Sequence, residues 1–128
     1  MKAILLSAVL VLVGGMANAS EPTEKVVSVN VHEAFFPGNF DATSDVYVVV
    51  SGMFPNSCYR WSDASVNHDK ARNIHEVHST AIVNQGMCLM VLVPFQKEVR
   101  LGVLGRGEHK VRFMNGDGTY LEKMISLE

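Results

Sequence analysis

The chain has 128 residues, 48% of them hydrophobic and 19% charged, and its 11 Lys and Arg stand against 13 Asp and Glu for a formal charge of −2 at pH 7. That balance excludes an ordinary nucleic-acid binder, which needs a basic footprint, and no Lys/Arg cluster offers a hold on an anionic membrane surface. The length allows one domain.

The first residues read as an address. Met1-Lys2 supply a short positive region, Ala3 to Val13 are almost wholly apolar, and Ala17-Asn18-Ala19 is an A-x-A cleavage site. Residues 1–19 are expected to be a secretory signal peptide, cut after Ala19. The apolar run is short for a bilayer span, so no membrane insertion is expected after cleavage. So concise a signal points to a bacterial chain that is periplasmic or secreted. Cleavage removes one basic and no acidic residue, leaving 20–128 as one domain with a formal charge of −3.

Short runs of period-two alternation, broken by turn signals, fill that domain. Strand one is expected over Glu24 to His32, with Val27, Val29 and Val31 on one face. Asp45 to Met53 follows, with Val46, Val48, Val49 and Val50 making it core-like. A third strand begins at Cys58-Tyr59-Arg60-Trp61 and continues toward Val66. Past a charged loop, His68 to Asn73, a fourth runs from Ile74 to Val83. Met87 to Phe95 is apolar almost throughout and reads as a central fifth strand, with Pro94 at its end or at a bulge. Val99 to Val103 and Glu108 to Phe113 flank a turn at Leu104-Gly105-Arg106-Gly107. Asn115-Gly116-Asp117-Gly118 signals a hairpin with a primed turn, closed by a last strand over Thr119 to Leu127. No stretch sustains a 3.6-residue period. Seven to eight strands with regular turns predict an all-β antiparallel sandwich, with a small β-barrel as the alternative.

One short motif refines the fold. Leu104, Gly107 and His109 are spaced as Leu-x-x-Gly-x-His, which resembles the tyrosine corner, Leu-x-x-Gly-x-Tyr, of immunoglobulin-like sandwiches. The resemblance implies an immunoglobulin-like sandwich in which the ring of residue 109 ties the incoming strand to backbone upstream. The sequence departs from the motif at His109 itself, where an imidazole N–H must replace the hydroxyl, and a corner carries no function with it.

Cys58 and Cys88 are the two cysteines. In an exported chain they are expected to form one disulfide; a redox or metal pair is the rival reading, without a C-x-x-C motif behind it.

Three candidate sites stand out. The first is metal: imidazole and thioether suit copper, and His75-Glu76-Val77-His78, with His68 nearby, is the densest group, taking copper or zinc. Residues i and i+3 on a strand point to opposite faces, so His75 and His78 share an ion only across a bulge or turn, and the main expectation is no cofactor. The second is an aromatic loop, Phe35, Phe36 and Phe40 around Pro37-Gly38, which either grips a partner protein or plugs the end of the core. The third is Arg60, Trp61 and Asp63, residue types frequent in binding anchors, with Trp61 first a core residue. No G-x-S-x-G elbow and no Cys–His nucleophile is present. The sequence therefore points to a non-enzymatic exported module that binds a protein partner, with a periplasmic metal-binding protein as the alternative.

Overall fold

The structure is a computed structural model that describes residues 23–128. The expected signal peptide and residues 20–22 lie outside the described residues. Eight strands follow one another: β1 (Glu24–Ser28), β2 (Glu33–Phe35), β3 (Val46–Phe54), β4 (Tyr59–Asp69), β5 (Ile74–Asn84), β6 (Val93–Gly102), β7 (Gly107–Met114) and β8 (Tyr120–Leu127). No helix occurs among the described residues.

The strands form a β-sandwich of two sheets, as alternation with one apolar face requires. The smaller sheet has the order β2-β3-β6. In the larger, β5 is the hub. On one side it pairs with β4 along most of its length; on the other, β1 takes residues 80–84 and β7 takes residues 74–78. β8 then pairs with β7. The β5–β7 pairing is parallel, the one departure from the expected antiparallel ladders.

The core follows from the alternation. Val46, Val48 and Val50 of β3 are buried against Val77 of β5, Val111 and Phe113 of β7 and Leu127 of β8. Each such side chain contributes about 1.5–3 kcal/mol by leaving water. A second cluster, Val29, Phe54, Ala81 and Phe95, closes the end nearest the disulfide, with the rings of Phe54 and Phe95 stacked at 4.6 Å.

Three expectations change. Strand one breaks after Ser28, because the chain crosses between sheets: Val29 donates to Ser79 in the larger sheet and His32 to Ser51 in the smaller. The hairpin after β7 is a type I turn with a glycine bulge, since Gly118 N–H donates to the Asn115 carbonyl and only Gly118 there has positive φ. The largest correction concerns Met87 to Phe95. Residues 85–92 form a loop, and β6 starts at Val93 and runs unbroken through Gln96, Lys97 and Glu98 to Gly102. An unbroken apolar run fits a buried strand or a loop held outside by other means, and here the disulfide holds it outside.

Candidate functional site

The first assembly is a chain of three imidazoles. His68 and His75 face each other across the β4–β5 hairpin, and His75 is the parallel partner of Val111, which makes His109 its diagonal neighbour on the same inward face. His68 Nδ1 lies 2.7 Å from His75 Nδ1, His75 Nε2 lies 2.9 Å from His109 Nδ1, and His109 Nε2 lies 3.0 Å from the Gly105 carbonyl. His75 and His109 are 3% and 1% exposed, whereas His68 stands at the surface.

One carbonyl fixes every proton in this chain. Gly105 O only accepts, so His109 Nε2 carries hydrogen and its Nδ1 is bare. His75 must then donate from Nε2 and accept at Nδ1, and His68 must donate from Nδ1. Burial, followed by the positive charge that His68 and His109 would carry, pushes the pKa of His75 down from 6.5 to about 4. The outer end of the chain opens on a cleft of about 490 Å³ lined by His68, Lys70, Asn73, Val103 and Leu104.

This arrangement places the corner residues and, of the three proposed metal ligands, brings His68 and His75 together and sets His78 apart. The ring of His109 meets backbone four residues upstream, Leu104 packs on the main core, and Gly107 has φ of 123°. His78 points outward from β5, its Nε2 3.8 Å from Glu76 Oε2, while His75 points inward with both nitrogens engaged. Strand alternation separates His75 from His78, and no bulge interrupts β5 between them, so the three histidines His75, His78 and His68 do not converge on one point. Among the described residues no group of three His, Cys, Asp or Glu is placed to hold a metal ion.

The second assembly is the loop of residues 85–92. Cys58 and Cys88 form a disulfide, as expected. Beside it, Ser57 N–H donates to the Leu89 carbonyl and Leu89 N–H to Ser57 Oγ, at 3.1 and 2.7 Å. The loop is thus pinned covalently and by a reciprocal pair of hydrogen bonds. Its side chains do not turn inward: Met87 is 104% exposed, Met90 82%, and Leu89, Val91 and Leu92 are all exposed. Five large apolar side chains in contact with water within six residues are costly, at about 25 cal/mol per Å². Sequence reasoning missed the loop because its composition reads as a strand; the signal that could have found it was Cys88, which ties the run to the turn before β4.

The loop borders a groove of about 450 Å³ between the free edges of β4 and β6, with Tyr59, Trp61, Val93, Phe95 and Lys97 in its walls. Trp61 packs against both core clusters, Arg60 is held by Glu24 at 2.9 Å, and Asp63 is exposed past a bulge. Of the aromatic loop, Phe36 and Phe40 pack on the main core, Phe40 edge-on to Tyr47 at 5.3 Å, and Phe35 stays exposed on β2. The three phenylalanines do not form one surface.

Residues 48–123, from β3 to β8, match the model of the ORF11 beta-sandwich domain. No curated protein and no solved structure matches the chain.

Proposed function

The chain belongs to the ORF11 beta-sandwich domain family, and from that premise we propose that it is an exported, non-enzymatic binding module whose contact surface is the loop of residues 85–92. The observation that carries this reading is the row of exposed Met87, Leu89, Met90, Val91 and Leu92 on a loop that the disulfide and Ser57 hold in place. A preordered apolar loop has already lost much of the entropy that binding would otherwise remove, and Met and Leu adapt to varied apolar partners. The partner chemistry that fits is an extended apolar segment of another protein: β6 is an edge strand with unpaired backbone groups beside the loop, and the groove between β4 and β6 is lined by rings. A disulfide persists outside the reducing cytosol, which supports a periplasmic or secreted location.

The test uses the disulfide-bonded protein on an array of immobilised ten-residue peptides. The expected binders alternate apolar and polar residues, and the double variant Leu89→Ser/Met90→Ser loses at least tenfold in affinity with an unchanged melting temperature. Equal binding by wild type and variant, binding to no peptide, or preference for phosphatidylcholine vesicles over every peptide would each overturn the reading.

A further inference from the structure

We infer that the His68–His75–His109 chain is an acid latch on the turn between β6 and β7, which stays shut when the chain holds one extra proton and is released by a second. The inference is independent of the loop of residues 85–92, which lies at the disulfide end of the larger sheet's hub strand, whereas His75 lies at the other.

Counting protons gives the latch its threshold. The three rings offer four places for hydrogen while the chain is intact: one in each of the two ring–ring bonds, one toward Gly105, and one on the free Nε2 of His68. Three neutral imidazoles fill three of these. A fourth proton fits on His68 Nε2, which has no hydrogen-bond partner among the described residues and belongs to an exposed residue, and the polarity of every inner bond is preserved. A fifth has no place. It must go onto His75 Nδ1 or His109 Nδ1, which puts two hydrogens into one N···N contact of 2.7 or 2.9 Å, so that contact must open and the two charged rings part.

The surroundings do nothing to relieve such charge. Facing His75 are His68 from β4, His109 from β7, and, at the mouth of the cleft, Lys70 and Asn73 from the β4–β5 turn; the 103–105 segment presents Val103, Leu104 and a carbonyl. Glu76, its neighbour on β5, points to the opposite face, and β8 pairs Ile125 with His109. Among the described residues no carboxylate is hydrogen-bonded to any of the three rings. The depressed pKa of His75 agrees with this. What the chain braces is the turn itself: His109, held by His75, ties β7 back to Gly105 in a segment whose other anchor is Leu104 on the core, with Gly105 and Gly107 at positive φ and Val103 exposed, and a His109 ring driven off His75 no longer braces it. Opening it would enlarge the cleft beside His68.

Amide hydrogen exchange from pH 8 to pH 4, on the disulfide-bonded protein, tests the latch. Protection at Gly105 to Lys110, corrected for intrinsic exchange, is expected to fall by about tenfold per pH unit once the second proton begins to bind below pH 6, while the β3 amides hold. His75→Gln keeps the polarity without titrating, since its amide nitrogen donates to His109 and its oxygen accepts from His68; it should retain protection at acid pH. Ring ¹⁵N spectra of the wild type, which need no variant, should show His68 as the Nδ1–H tautomer at pH 8 and one proton taken up before protection falls. Protection kept to pH 4, two protons taken up with the turn still closed, or an acid loss undiminished in His75→Gln would overturn the inference.

Discussion

His75 and His109, 34 residues apart in sequence, share a 2.9 Å hydrogen bond inside the larger sheet, and the parallel pairing of β5 with β7 is what brings them together. His109 must keep Nδ1 bare to accept this bond, and His75, which donates it, keeps its own Nδ1 bare to accept from His68, so the buried pair is held uncharged. This ties the stability of the whole fold to pH.

The sign follows from linkage. His75 has a folded pKa of about 4 and an ordinary value of 6.5, so between these limits the unfolded chain binds a proton that the native state refuses. Stability is complete above about pH 6.5, falls as pH drops toward 4, and levels off below, with a total loss on the order of 3 kcal/mol. Asp41, Asp69 and Asp117 are held below their usual 3.8 by hydrogen bonds from Thr43, Arg72 and Thr119, so any contribution of theirs is lost at still lower pH and leaves the window to the histidine. Urea unfolding at pH 7.5 and pH 4.5 should give the loss in wild type and most of it should vanish in His75→Gln. Equal losses in both would assign the pH dependence elsewhere.

The disulfide makes a separate, redox-dependent prediction. Cys58 and Cys88 lie 30 residues apart, and closing such a loop in the unfolded chain stabilises the native state by about 3–4 kcal/mol on the chain-entropy account. Reduction should lower the melting temperature accordingly. It should also release residues 87–92, because the remaining fixed contacts of the loop are the two hydrogen bonds with Ser57, short-range bonds near Gly86, and the bond from Gln85 N–H to the Thr23 carbonyl at the loop's start. Limited proteolysis is the direct readout: reduced protein is expected to be cut between Gly86 and Val93 first, and oxidised protein to resist there. Cleavage elsewhere before this loop would show that the bridge does not order it.

The legibility of this fold differs from element to element, for physical reasons. Val46, Val48, Val50 and His109, Val111, Phe113 announce strands because period two is imposed locally by the pleat. Cys58 and Cys88 announce their bond through compartment chemistry. The histidine chain is not legible as a unit, although the sequence puts His109 in a corner, His68 in a charged loop and His75 on the strand that follows. Its third member arrives through a parallel pairing, and register between strands distant in sequence leaves no local pattern. The loop of residues 85–92 was misread for a related reason. Its composition is that of a buried strand, and what decides its fate is a covalent bond to a residue 30 positions away. The aromatic loop was divided in the same way: Phe36 and Phe40 went to the core and Phe35 to solvent, a choice made by where β2 lies against β3.

The β7–β8 hairpin turns on Gly118. Asn115 N–H donates to the Thr119 carbonyl at 2.8 Å and Gly118 N–H to the Asn115 carbonyl at 3.3 Å, while Thr119 caps Asp117 with its backbone and hydroxyl at 3.0 and 2.6 Å. Gly118 sits at φ of 88° with nothing within 4 Å of a Cβ built on it, so a side chain there meets no steric obstacle and the cost is conformational alone. A β-branched residue resists that region by about 1–2 kcal/mol, and Asn, whose side chain tolerates it, resists less. Gly118→Val should therefore lower the melting temperature, at about 4–8 °C per kcal/mol for a domain of this size, and Gly118→Asn should recover most of the loss. Gly116 fails for a different reason, since a Cβ there would press on Ser28 Cβ at 3.1 Å and push β7 from the end of β1. Gly116→Ala should disturb the β1 amides in an NMR spectrum while Gly118→Val leaves them in place. Identical spectral changes for the two variants would refute this division between backbone strain and packing.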